Sequence, residues 1–201
     1  VIHNIWNYPI GIYDDVFDPA EVATIAEQLD QHHANAGTYH TSFEAHRVPE
    51  WITPLTTQLT TYFKIFLQEI DEADEYSPIF YQTLRNEHYS RNNALAGSWE
   101  PHNDIYERAL WSVAYYLRVD SHSVLPDGYV GGELSINDRF DYASFPKNVQ
   151  LIECKQNRLV IFSPVKTHRI RPYFGVVPRL SISQFWSGDV TAMNPDTTNI
   201  L

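Results

Sequence analysis

The chain has 201 residues and 23.3 kDa, 43% hydrophobic and 14% aromatic, with thirteen Tyr and five Trp, which suits one globular domain with a real core and excludes a disordered acidic chain. A formal charge of −11 and a pI near 5.1 repel a phosphate backbone and disfavour a non-specific nucleic-acid binder. A single cysteine, Cys154, excludes a disulfide framework and a cysteine-built zinc site, and no stretch approaches the ~20 apolar residues of a membrane span.

The opening Val1-Ile2-His3-Asn4 has neither a cationic n-region nor a long apolar h-region. With one cysteine, this predicts a soluble cytoplasmic protein. Asp18-Pro19-Ala20-Glu21 then supplies an N-cap acid, a proline at the first helical position and a glutamate at the third, followed by Val22, Ile25, Ala26 and Leu29 at helical spacing. A second helix is predicted over 49–71, where Leu55, Leu59, Tyr62, Phe63, Phe66, Leu67 and Ile70 recur at three and four residues. That stripe is core packing. Between the helices lie His32, His33, His40 and His46 with no acid at ligand spacing, so the adjacent pair is expected on the solvated surface.

After Asp71-Glu72-Ala73-Asp74-Glu75 the texture changes to short runs of Tyr, Val, Ile and Phe between turn residues. These predict strands near 80–89, 99–106, 110–118, 132–137, 150–153, 158–162, 168–172 and 180–186. Strands preceded by two helices indicate a mainly β, α+β chain, a β-sandwich or jelly roll with helices on one sheet. It is expected as a single domain over 1–201, with 1–75 as helical support and 76–190 as the β core. Loops at 92–98, 120–131 and 138–148 are long enough to be pocket rims.

Pro101-His102-Asn103-Asp104 carries the first chemical signal. A bare His-x-Asp is weak, since nine His and thirteen Asp make somewhat under one copy expected by chance. On a strand, however, His102 and Asp104 project to one face. A third ligand from another strand would complete a 2-His-1-carboxylate triad with open positions for a co-substrate and dioxygen. Downstream of His122 the one histidine is His168, beyond the apolar run Arg158-Leu159-Val160-Ile161-Phe162 and a Ser163-Pro164 turn. Taken alone, His168 reads more readily as a structural histidine. Among the basic residues of the C-terminal third, Lys166, Arg169, Arg171 and Arg179, one is read as the pocket for a small dianion.

The surrounding sequence resembles the 2-oxoglutarate and Fe(II)-dependent dioxygenases, in particular their prolyl-4-hydroxylase-like branch. Ser112-Val113-Ala114-Tyr115-Tyr116-Leu117-Arg118 is similar to the strand after the His-x-Asp pair, Gly131-Gly132-Glu133-Leu134 to the branch's Gly-Gly-Glu-Leu turn, and Leu159-Val160-Ile161-Phe162 to the strand before the distal His. Arg179-Leu180-Ser181 stands where the family places an Arg or Lys for 2-oxoglutarate. The likeness covers about 80–186 and, more loosely, Tyr13-Asp14-Asp15-Val16-Phe17.

This resemblance implies a double-stranded β-helix (jelly roll), and an enzyme in which His102, Asp104 and His168 bind Fe(II). Arg179 would hold the distal carboxylate of 2-oxoglutarate through two parallel hydrogen bonds, with Arg169 and Arg171 as competitors placed at the rim. Tyr116 would share that carboxylate, with Tyr115 packed outward against the helices; a one-residue slip would exchange them. Ser181 would add a contact, and Tyr89 would reach the keto acid near the metal. The implied reaction couples decarboxylation of 2-oxoglutarate to succinate with hydroxylation by dioxygen, supported by ascorbate. Asp104 argues for hydroxylation, because halogenases of this superfamily replace that carboxylate. The expected substrate is a prolyl or other amino-acid side chain, free or in a peptide. The alternatives are a non-catalytic metal-binding jelly roll and a nucleic-acid-directed oxygenase of the same superfamily.

Overall fold

A computed structural model describes residues 2–5, 8–87, 101–104, 109–122, 125–137 and 149–188. Strands β1 (Ile2–Ile5) and β2 (Tyr8–Asp14) lead into helix α1 (Pro19–Ala36), and strand β3 (His40–Glu44) follows it. Two 3-10 turns, Ala45–Arg47 and Glu50–Ile52, precede helix α2 (Thr53–Glu69). The remaining elements are strands: β4 (Tyr76–Asn86), β5 (Trp111–Arg118), β6 (Leu134–Asn137), β7 (Gln150–Ile152), β8 (Arg158–Phe162), β9 (Thr167–Ile170) and β10 (Arg179–Gly188).

The caps of α1 follow from its sequence. Asp18 accepts from the backbone N–H of Ala20 at 2.8 Å and of Glu21 at 3.4 Å, an interaction worth about 1 kcal/mol. Gly37 ends the helix at φ 61°, its N–H donating to Ala34 O, in the left-handed conformation that glycine adopts without a Cβ penalty. Val22, Ile25, Ala26 and Leu29 are buried as their spacing predicts, but His33 is buried with them. The expected solvated histidine pair is therefore corrected: His33 sits under the last turn of α1 with Nδ1 3.1 Å from Thr38 O. The second helix starts later than predicted because Pro54 takes its first turn, and the chain before it closes as 3-10 turns.

A seven-stranded sheet in the order β1-β2-β8-β5-β10-β4-β3 faces a three-stranded sheet in the order β7-β6-β9, and every pairing between these strands is antiparallel. Alternation divides the large sheet cleanly. Trp111, Val113, Tyr115, Leu117, Leu159, Ile161, Leu180 and Ile182 pack against the helices with Leu29, Leu55, Leu59, Phe63 and Phe66. The intervening Ala114, Tyr116, Val160 and Phe162 pack toward Leu134, Ile136 and Ile152 of the small sheet. Leu29, Leu55 and Leu59 are fully buried, each contributing about 2 kcal/mol. The fold is a jelly roll with both helices on the outer face of its large sheet. No helix among the described residues is long and apolar enough to cross a membrane.

Strands β1, β2 and β3 lie outside the predicted strands, so the first 75 residues are more than helical support. Pro9 and Gly11 disguise β2, yet Gly11 is where the sheet meets α2: a Cβ there would come within 2.7 Å of Phe66 Cδ2. Strand β3 is polar and is specified by its pairing with β4. The predicted strand over 99–106 is not found in its described part. His102 makes an isolated bridge to His168, and the next described N–H on that side, that of Asp104, turns to Pro164 O instead of extending the ladder. Residues 92–98 and 138–148, expected as pocket rims, lie outside the described residues.

Candidate active site

Backbone pairing brings His102 to His168: the N–H of His102 donates to His168 O at 3.0 Å, and the N–H of His168 to His102 O at 2.8 Å. The N–H of Asp104 donates to Pro164 O at 3.1 Å. These three bonds hold the Pro101-His102-Asn103-Asp104 segment along the edge of β9, with the side chains of His102 and Asp104 beside His168. Asp104 Oδ1 lies 3.7 Å from His102 Nε2 and Oδ2 lies 3.4 Å from His168 Nε2. One ligand atom from each residue falls within 4.8 Å of the others, close enough for a single cation to touch all three.

The donor set suits such a cation. His168 Nδ1 is 2.9 Å from the carbonyl oxygen of Lys166, which can only accept, so Nδ1 carries the proton and the Nε2 lone pair faces Asp104. His168 and Asp104 are largely shielded while His102 is 40% exposed in its side chain, leaving the cluster an open side. Two imidazoles and one carboxylate of this kind fit a first-row divalent metal.

Next to the cluster is a cavity of about 150 Å³ lined by Gln82, Leu84, Ser112, Ser183 and Phe185 as well as by His102, Asp104 and His168. Its far wall is β10, flanked by β5 and β4, whose inner face carries Arg179, Ser181, Ser183 and Phe185 in turn. Ser183 pairs with Gln82 and Ala114, and Ser181 with Leu84 and Tyr116. Arg179 and Tyr116 do not line the cavity; they continue the same faces further along the sheet.

Arg179 is fully buried. Its Nη1 donates to Gly132 O at 2.8 Å and its Nη2 to Ser181 Oγ at 3.2 Å, and its Nε has no partner. Its guanidinium carbon lies 5.2 Å from the centre of the Tyr116 ring. No carboxylate among the described residues is within ion-pair distance of it. Tyr116 is equally buried, and its hydroxyl has no hydrogen-bond partner. Burial pushes that phenol up, against the pull of Arg179, and pushes the Cys154 thiol up to about 11, so both groups are neutral. The guanidinium thus stands among neutral groups.

Arg169 and Arg171 are half-buried on and just beyond β9. Tyr89 lies outside the described residues. Sequence reasoning overlooked Asn86, a buried residue at the end of β4 directly paired with Arg179. An asparagine closing a strand looks like a turn signal, and nothing local distinguishes this one.

Residues 87–187, half of the chain, match the family model for the 2OG-Fe(II) oxygenase superfamily. No curated protein matches the sequence. Among solved structures, a prolyl-4-hydroxylase from Pseudomonas putida is similar with a TM-score of 0.59 and 14% identity, over 89% of this chain and 91% of that one. A prolyl hydroxylase from Trichoplax adhaerens, solved with a peptide fragment of the hypoxia inducible factor oxygen degradation domain, gives 0.62 and 13% over 89% and 83%. The viral collagen prolyl hydroxylase of Paramecium Bursaria Chlorella virus-1, solved with 2OG, gives 0.58 and 16% over 88% and 94%. At these identities the likeness is one of fold.

Proposed function

Because the chain belongs to the 2OG-Fe(II) oxygenase superfamily, and so is a dioxygenase using Fe(II) and 2-oxoglutarate, we propose that it hydroxylates an amino-acid side chain, prolyl or other, free or in a peptide. The observation that carries the arrangement is Arg179, a completely buried guanidinium without a carboxylate partner among the described residues. A buried cation left unpaired is costly, and a dianionic keto acid would supply the missing charge.

In this reading His102, Asp104 and His168 are the iron ligands. Bound there, the metal supplies the activation of dioxygen and the oxidation of the keto acid. His168 is held in the ligating tautomer by Lys166 O. Arg179 binds the distal carboxylate of 2-oxoglutarate with the N–H groups that Gly132 and Ser181 leave free, and Tyr116 donates its hydroxyl to the same carboxylate. The keto acid would run from the cluster along β10 past Ser181. Shielding by Phe162, Leu134 and Phe185 around the cavity keeps water from competing for these contacts.

The substrate class draws support from the fold of prolyl hydroxylases and from the charge of −11, which disfavours nucleic acid. The experiment is succinate release with Fe(II), ascorbate and 2-oxoglutarate across a panel of peptides and free amino acids, with His168→Ala as control. Metal-dependent, substrate-stimulated succinate from the native chain is expected. Turnover that is unaffected by His168→Ala overturns the assignment of the centre.

A further inference from the structure

Three neighbouring strands present buried polar atoms without partners to one region of the inner face. On β10 it is Arg179 Nε, on β5 the hydroxyl of Tyr116, and on β4 Asn86 Oδ1. All three residues are at most 2% exposed. Arg179 is paired directly with Asn86 across β10 and β4, and Tyr116 flanks β10 from the other side through Ser181. Alternation places Asn86 on the inner face: Gln82 and Leu84 line the cavity, whereas Tyr81 packs toward the helices and Arg85 bonds Asp30 of α1. A buried amide oxygen without a donor costs free energy. A bound carboxylate, itself an acceptor, removes that cost only if the amide turns to offer Nδ2 in place of Oδ1.

We infer that Asn86 is a third anchor for the keto acid, its side-chain amide turned so that Nδ2 donates to the carboxylate held by Arg179 and Tyr116. Rotation of the amide exchanges Oδ1 for Nδ2 at the same place, so an acceptor that has no donor becomes a donor to the carboxylate. This rests on the proposed role of Arg179. Asn86 is a positioning residue, since it touches the end of the co-substrate remote from the metal.

The test is calorimetric titration of 2-oxoglutarate into Mn(II)-loaded protein, which measures binding without turnover. Asn86→Leu should weaken 2-oxoglutarate about ten- to 150-fold, the loss of one hydrogen bond to a charged group, with Mn(II) affinity unchanged. It should leave the melting temperature of the metal-free protein equal or higher, because an unpartnered acceptor is replaced by an apolar group. A merely structural asparagine would lose stability instead. Asn86→Asp should abolish 2-oxoglutarate binding by placing an anion opposite Arg179, while raising metal-free stability. Wild-type affinity in either variant overturns the inference. If Arg179→Ala also binds like the native chain, the anchor itself is wrong and the inference falls with it; native binding lost in Arg179→Ala but kept in Asn86→Leu refutes Asn86 alone.

Discussion

Gly132 gives its carbonyl oxygen to Arg179 Nη1 at 2.8 Å, and it does so from a backbone conformation, φ 78°, in which a Cβ would stand 3.1 Å from Tyr173 Cδ2 and, at 3.5 Å, in ordinary contact with Arg179 Cδ and Nη1. The glycine tolerates the left-handed conformation and spares the Tyr173 ring. Gly132→Ala should therefore cost about 1–2 kcal/mol of stability. Its neighbour offers a contrast. A Cβ on Gly131, φ 70°, would fall 2.1 Å from the backbone oxygen of Pro172, which cannot yield as a side chain can. Thermal melts should rank Gly131→Ala well below Gly132→Ala.

Adjacent tyrosines should respond oppositely. The Tyr115 hydroxyl donates to Asn157 Oδ1 at 2.7 Å, and Asn157 also accepts from Phe17 N and donates to Phe17 O. Tyr115→Phe removes a buried hydrogen bond and should lower stability by about 1 kcal/mol, a melting shift of about 2–4 °C in a chain of this size, with 2-oxoglutarate affinity intact. Tyr116→Phe removes a hydroxyl that has no partner, so the melting temperature should hold or rise while 2-oxoglutarate binding weakens. Reversal of the pattern would mean the register of β5 is shifted by one residue.

Metal binding tests the cluster apart from the keto acid. Asp104→Ala removes the carboxylate that faces both imidazoles, and His168→Ala removes the ring oriented by Lys166 O. Each should eliminate Mn(II) binding measured by calorimetry, whereas Arg179→Ala should preserve it. Retained Mn(II) affinity in Asp104→Ala would place the metal elsewhere.

The acid limb of stability should carry a contribution from His33. Burial holds its pKa below the ordinary 6.5, against the hydrogen bond to Thr38 O, with His32, Arg85 and His40 facing it as further repelling charges. Below pH 6.5 the unfolded chain takes up a proton that the folded chain resists, so stability is present above that pH and declines as pH falls through it. His40 is lowered by burial as well and acts in the same sense. Melting temperatures between pH 8 and 5.5 should fall less in His33→Gln than in the native chain. An identical slope would show that His33 does not titrate on unfolding.

Local sequence determines much of this protein. Asp18, Pro19 and Gly37 set the ends of α1 by satisfying its terminal backbone groups, and the three-and-four spacing of Leu55, Leu59, Phe63 and Phe66 marks the buried face of α2. Strands β5 and β8 are legible because both faces are covered, which makes them near-continuous apolar runs, and β10 because Leu180 and Ile182 alternate with Arg179, Ser181 and Ser183. Strands β2 and β3 are not, since Pro9, Gly11 and the polar residues of β3 become strand only by pairing with β8 and β4.

The site divides along the same line. His102, Asp104, His168 and Arg179 stand in an order that the sequence displays by itself, because residue type and spacing are properties of the chain. Only the tertiary structure decided what lies beside what. His102 meets His168 through a two-bond bridge across a gap in sequence. Asn86 becomes the neighbour of Arg179 because β4 and β10 pair in one register and not another. Whether a polar atom is left without a partner depends on every strand around it, which is why the unpaired groups of Asn86, Tyr116 and Arg179 could be found only once the sheets were assembled.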